Sequence, residues 1–202
     1  MKLYYSPGAG SLTPHIALHE AGLAFEHVLA STKTHKLEDG TDYYSINPLG
    51  YVPLLALDDG TRLTEIPAIV QYIADQAPAK KLAPANGTLA RYQMQSLLNF
   101  IGTELHKGFG PLFNPDTPAD YKAQASKRLL GRLEWIDGQL AGKQYLMGDS
   151  YTVADGYLFN VTNWARLVKV DISHLAHLAA FRARVAARPA VQAAMKHEGL
   201  LK

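Results

Sequence analysis

The chain has 202 residues, 48% hydrophobic and 19% charged, with 20 basic against 18 acidic side chains and a formal net charge of +2. That length suits one large domain or two small ones, and the near-even, scattered charge lacks the basic face that nucleic acid requires. Without a cysteine, the chain can form no disulfide framework, thiolate metal site or sulfur nucleophile of its own. No apolar run approaches the roughly 20 residues of a membrane span. The opening Met1-Lys2-Leu3-Tyr4-Tyr5-Ser6-Pro7-Gly8 reaches proline and glycine too early for a secretory leader. The expectation is a soluble, cytoplasmic protein.

Leu3-Tyr4-Tyr5 reads as a strand closed by the turn Ser6–Gly10. Ser11 suits a helix start before Leu12, Ile16, Ala17 and Leu18, and Gly22 suits its stop. Phe25–Leu29 alternates like a second strand. Val52–Leu57 is a third, turned by Asp58-Asp59-Gly60 into Arg62-Leu63-Thr64. Ala68, Ile69, Tyr72, Ile73 and Ala77 then repeat at threes and fours, which predicts an amphipathic helix ending near Pro78. The order β-α-β, hairpin, helix predicts an α/β domain over residues 1–78.

Residues 78–87 have the composition of a linker. Beyond them helical periodicity dominates, with helices expected near 88–109, 118–141, 152–168, 178–187 and 189–196. An all-α domain over 88–202 follows.

Several signals carry chemistry. Pro53 cannot donate to a sheet ladder; it either enters a strand in the ordinary way or turns the Val52 backbone outward to pair with an extended peptide. Thr64-Glu65-Ile66 opens a helix, where unpaired N–H groups attract a carboxylate and Glu65 could hold an ammonium. Together they would recognise an α-amino acid headgroup; alternatively Glu65 only complements the helix dipole. Asn99, Thr103 and His106 are spaced to share one helical face, either as a site or as solvated surface. Thr152-Val153-Ala154-Asp155 fits a capping box, a folding signal. His174 and His177 lack a third ligand in sequence, and His19-Glu20-Ala21-Gly22-Leu23 lacks the second histidine of a zinc-protease motif, so no metal is assigned.

Taken together the chain resembles the glutathione transferases, most closely the bacterial beta class. The likeness rests on Met1–Ala9, Asn47-Pro48-Leu49-Gly50-Tyr51-Val52-Pro53, Leu63-Thr64-Glu65, Ala68–Tyr72, Glu104-Leu105-His106-Lys107-Gly108 and Thr152–Asp155, in the family's order. The resemblance implies a thioredoxin-like N-terminal domain, a helical-bundle C-terminal domain, a homodimer and a detoxifying transferase with glutathione as co-substrate and no cofactor. It implies a cis bond at Val52-Pro53, pairing of Val52 with the cysteinyl backbone of glutathione, and capture of the γ-glutamyl end by Glu65 and the N–H of Ile66. Gly10, Tyr51 and His35 complete that side, although His35 stands where the family is usually basic and Lys33 and Lys36 are near enough to substitute. His106 is implied near the thiol, with Asn99, Thr103, Glu104 and Lys107 approaching from the helical domain or the other subunit.

Two departures matter. Gly10 stands where beta-class proteins carry cysteine, so chemistry needing a protein sulfur is excluded. Ile66 replaces the usual Gly or Ser, losing a hydroxyl contact and, by its branched side chain, narrowing the entrance. Conjugation needs only the thiolate of glutathione, and Ser11, Tyr5 and His106 are the expected donors to it, with Ser11 alternatively a plain N-cap and Tyr5 a buried strand aromatic. Small apolar electrophiles are the expected second substrate, in a pocket lined by Tyr5, Phe109 and Trp164. Three other readings stand beside this one: a glutathione-binding ligand carrier with little catalysis, a dimerisation module without glutathione affinity, and glutathione-dependent dehalogenation or isomerisation.

Overall fold

Lys2–Tyr5 forms β1, one of the two inner strands of a four-stranded sheet in the order β2-β1-β3-β4. β2 (Glu26–Leu29) runs parallel to β1, which requires a crossover; α1 (Leu12–Ala21) supplies it and stops at Gly22, whose φ of +68° suits a residue without Cβ. β3 (Leu54–Ala56) and β4 (Arg62–Leu63) pair antiparallel, and α2 (Ile66–Gln76) follows. Leu3, Leu55, Ile16, Leu18, Ile69, Val70 and Ile73 are fully buried and form the core of this layer. The expected β-α-β, hairpin, helix order is the observed one.

The computed structural model describes residues 1–201. They sort into two compact units, Met1–Ala83 with the segment from Arg188 onward, and Pro84–Ala187. This departs from a division at 78 and 88–202, because α8 (Pro189–His197) packs on α1. Arg188 Nη2 donates to Glu20 Oε2 at 2.8 Å, and Glu198 bonds His15 at 2.8 Å and the Gly8 N–H at 2.8 Å. An amphipathic helix at the end of a sequence does not declare which layer it covers.

In the second unit every regular element is helical. α3 (Leu89–Phe100) runs into a π-helical segment, Ile101–His106, then α4 (Lys107–Phe113), α5 (Ala119–Leu140), α6 (Val153–Leu167) and α7 (Ala176–Ala186). The sequence predicts one continuous helix over 88–109; the structure inserts wider turns in it. α6 is buried around most of its circumference, from Val153 through Thr162, as expected of a central helix. Its start is the predicted box: the fully buried Asp155 accepts the Thr152 N–H at 2.7 Å, the Thr152 hydroxyl at 3.0 Å and the Leu146 N–H at 2.8 Å. Among the described residues no helix is long and apolar enough to cross a membrane.

Candidate active site

In the first unit the loop before β3 is held from beneath. The Tyr51 carbonyl accepts from Tyr43 Oη at 2.9 Å and from Asn47 Nδ2 at 2.7 Å. Both donors are buried, and burial pushes the Tyr43 hydroxyl up to about 12, so it keeps its proton. The Val52-Pro53 bond that follows is cis. Tyr51 itself projects into solvent, and Val52 lies outside the ladder that begins at Leu54. Tyr43 was not singled out in sequence; a buried tyrosine and asparagine look like any polar core pair until their shared carbonyl is seen.

Gly50 makes this loop possible. Its φ is +66°, and a Cβ there would lie 2.7 Å from the Tyr44 ring and 2.8 Å from His35 Nδ1. Gly50→Ala is expected to lower the unfolding free energy by about 2 kcal/mol or more, combining left-handed strain with a clash. Urea denaturation checks this, and an unchanged midpoint would refute the close approach. His35 has a φ of +51°, packs its ring 4.6 Å from that of Tyr44, and buries an Nδ1 without a hydrogen-bond partner.

Glu65 precedes α2 with a φ of +66° and an exposed side chain that makes no cap bond. A non-glycine residue in that region is uncommon, and its carbonyl accepts the Ala68 and Ile69 N–H groups at 3.0 Å each. The chain therefore stations a carboxylate in solvent beside a helix start. Ile66 corrects an expectation: it is 4% exposed, so its side chain enters the core and does not narrow any entrance.

At the start of α1, Gly10 and Ser11 are buried. Ser11 does not cap the helix; its Oγ accepts the Ser6 N–H at 3.0 Å and donates to the Ser6 carbonyl at 3.2 Å. Its proton is thus already engaged, which argues against its part as a thiolate donor. Tyr5 takes the second of its two readings, the buried strand aromatic. Alternation along β1 turns Leu3 and Tyr5 inward, and Tyr5 Oη lies 3.3 Å from His197 Nε2, inside a group of His15, His27 and His197 rings. Burial pushes its hydroxyl up. Burial also pushes His15 and His27 down to about 4 and Glu198 up to about 7. This cluster escaped the sequence reading, although His15 and His19, four apart on one helix, were its visible signal.

In the second unit the π-helical segment redirects side chains. Asn99 and Thr103 stay exposed, Thr103 Oγ1 donating to the Asn99 carbonyl at 2.9 Å. His106 instead turns inward, Nδ1 hydrogen-bonded to Tyr157 Oη at 2.9 Å and its ring edge-on to Trp164 at 4.7 Å. The expected shared face of Asn99, Thr103 and His106 assumes 3.6 residues per turn, and wider turns break it. Burial, with Lys107 nearby, pushes His106 down to about 4, so it is neutral at pH 7. Glu104 is bonded by Arg132 Nε at 2.8 Å and Arg128 Nη2 at 3.2 Å, which holds its carboxyl below the usual range, and Lys107 is exposed. Trp164 packs edge-on to Phe109 and Phe113 at 5.7 and 5.9 Å; Phe109 is wholly core, while Phe113 is half exposed.

Residues 11–76 match the glutathione S-transferase N-terminal domain and residues 100–189 the glutathione S-transferase C-terminal domain. GstA of Escherichia coli O157:H7, a glutathione S-transferase, is 47% identical over 99% of this chain and all of its own length. A ternary complex of BphK, a bacterial glutathione transferase, superposes with a TM-score of 0.97 at 55% identity, covering 99% of this chain and 100% of that one. A sphingomonad glutathione S-transferase complexed with glutathione gives 0.96 at 48%, covering both chains in full, and a beta class enzyme of Sphingomonas chungbukensis gives the same values. The chain belongs to the glutathione S-transferase family.

Proposed function

We propose that the protein conjugates the thiolate of glutathione to small apolar electrophiles, the first unit binding the tripeptide. The arrangement that carries this reading is the buttressed Tyr51 carbonyl before Val52 together with the exposed carboxylate of Glu65 at the start of α2. Val52 would pair with the cysteinyl backbone, Glu65 would hold the γ-glutamyl ammonium and the Ile66 N–H its carboxylate. His35, with its partnerless Nδ1, and the exposed Lys33 and Lys36 suit the peptide's other carboxylate.

A free thiol titrates near 8.5, so lowering it to about 6.5 needs roughly 2.7 kcal/mol of selective stabilisation. With the Ser11 and Tyr5 hydroxyls engaged elsewhere, the positive end of α1 beside Gly10 is the better source. Neutral His106, held by Tyr157, can offer a ring hydrogen bond without bringing a charge. The same engaged hydroxyls favour a second reading, a glutathione-binding carrier with little turnover. A homodimer in the cytoplasm is part of the proposal, supported for the dimer by Leu89, Tyr92, Tyr121 and Trp135, all large, apolar and exposed on α3 and α5.

Ultraviolet titration of the glutathione complex tests this. The expected result is thiolate absorbance with an apparent pKa about two units below that of the free peptide. Saturable binding with an unshifted thiol leaves the carrier, and no binding defeats both readings. Gly10→Cys should add thiol–disulfide exchange with glutathione, since a cysteine at a helix start is readily ionised; no gain would count against the account of that position.

A further inference from the structure

His15 and His19 lie one turn apart on α1 and so present both rings to the same side, while the Leu3–His27 register of the parallel pair brings His27 up from β2. A ligating nitrogen from each lies within 4.8 Å of the other two. His15 Nε2 and His27 Nε2 face each other at 2.9 Å, so one proton is shared between two imidazoles. Behind His15, Glu198 Oε1 accepts from Nδ1 at 2.8 Å, and the Gly8 N–H fixes the other carboxylate oxygen at 2.8 Å. That leaves His15 Nε2 as the nitrogen that faces His27. A carboxylate behind an imidazole is the usual outer support of a metal-bound histidine. His19 Nε2 is buried without a hydrogen-bond partner, a condition that buried polar atoms rarely tolerate.

We propose that His15, His19 and His27 bind one divalent transition-metal ion, with Zn²⁺ the best match and Glu198 orienting His15. A cation there would give His19 Nε2 its missing partner and replace the shared proton. Zn–N bonds of about 2.0–2.1 Å at tetrahedral angles put ligand nitrogens roughly 3.3–3.4 Å apart, between the 2.9 Å contact and the 4.8 Å limit of the cluster. Side-chain adjustment therefore suffices to close the site. Three imidazoles without thiolate or carboxylate in contact suit Zn²⁺, Co²⁺, Ni²⁺ or Cu²⁺ and not Mg²⁺ or Ca²⁺. Phe25, 4.4 Å from the His27 ring, and His197, stacked on it at 3.7 Å, wall the site. The bound ion would join α1 to β2 and, through Glu198, to the segment after α8. None of these residues belongs to the set proposed for glutathione, so the inference stands apart from that reading.

The test uses untagged, chelator-treated, full-length protein. Calorimetric titration with Zn²⁺ alone should show one ion per chain, and Co²⁺ should give the intense visible bands of a tetrahedral nitrogen site. Thermal unfolding should shift upward with Zn²⁺ concentration. His19→Gln and His27→Gln should each weaken Zn²⁺ binding by about tenfold or more, while His174→Gln should leave it unchanged. Absence of saturable one-to-one uptake, or a weak octahedral Co²⁺ spectrum, overturns the proposal, and both are read on the unaltered protein whether or not the variants fold. Undiminished uptake by folded His19→Gln and His27→Gln proteins overturns it equally.

Discussion

Asp155→Ala is expected to lower the unfolding free energy by about 3–5 kcal/mol. The carboxylate is fully buried, and its oxygens take the Leu146 N–H, the Thr152 N–H and the Thr152 hydroxyl. Alanine leaves these donors in a dry interior at the head of the most buried helix, and each stranded donor costs about 1–3 kcal/mol. An ordinary exposed N-cap is worth about 0.5–2 kcal/mol, so the larger figure measures the burial. Asp155→Asn, which keeps one acceptor, should fall between. Urea midpoints for the three proteins decide it; a loss under about 1 kcal/mol in the alanine variant would show that water reaches the box.

Glu65→Ala is expected to raise the Kd and KM for glutathione by about 10- to 100-fold while kcat at saturation changes little. A charge-assisted bond to an ammonium is worth about 1.5–3 kcal/mol, and it is made alike in ground and transition states, so it appears in KM. A carboxylate that merely complements the helix dipole predicts instead a stability loss of a few tenths of a kcal/mol and unaltered affinity. Glu65→Gln separates charge from shape. Because residue 65 has a φ of +66°, Glu65→Gly controls for backbone strain: it should bind glutathione as weakly as the alanine variant while folding at least as stably. Folded variants with wild-type affinity would remove Glu65 from the site.

Much of the first unit was legible because its signals are local. Leu3 and Tyr5 alternate, Gly22 stops α1, and Ile69, Val70 and Ile73 mark one face of α2. The Thr152–Asp155 box was legible for the same reason. What stayed hidden depends on distant partners. Nothing in Ile101–His106 announces π-helical turns, so the inward turn of His106 toward Tyr157 could not be read from spacing. Ser11 looks like a cap in sequence, yet Ser6 takes its hydroxyl. The histidine cluster needed the β1–β2 register to bring His27 to His15, and Glu198 comes from the far end of the chain.

Arg188 and the helix after it give the molecule an unusual order of assembly. A ribosome delivers the sheet and α1 first, yet the face of α1 on which α8 packs stays uncovered until residues 189–197 have been made. The middle of the chain, Pro84–Ala187, is contiguous and can finish while the earlier part still waits. The nascent N-terminal layer is thus the half exposed to chaperones and proteases during synthesis, and a premature stop just before Arg188 would injure the half that was made first.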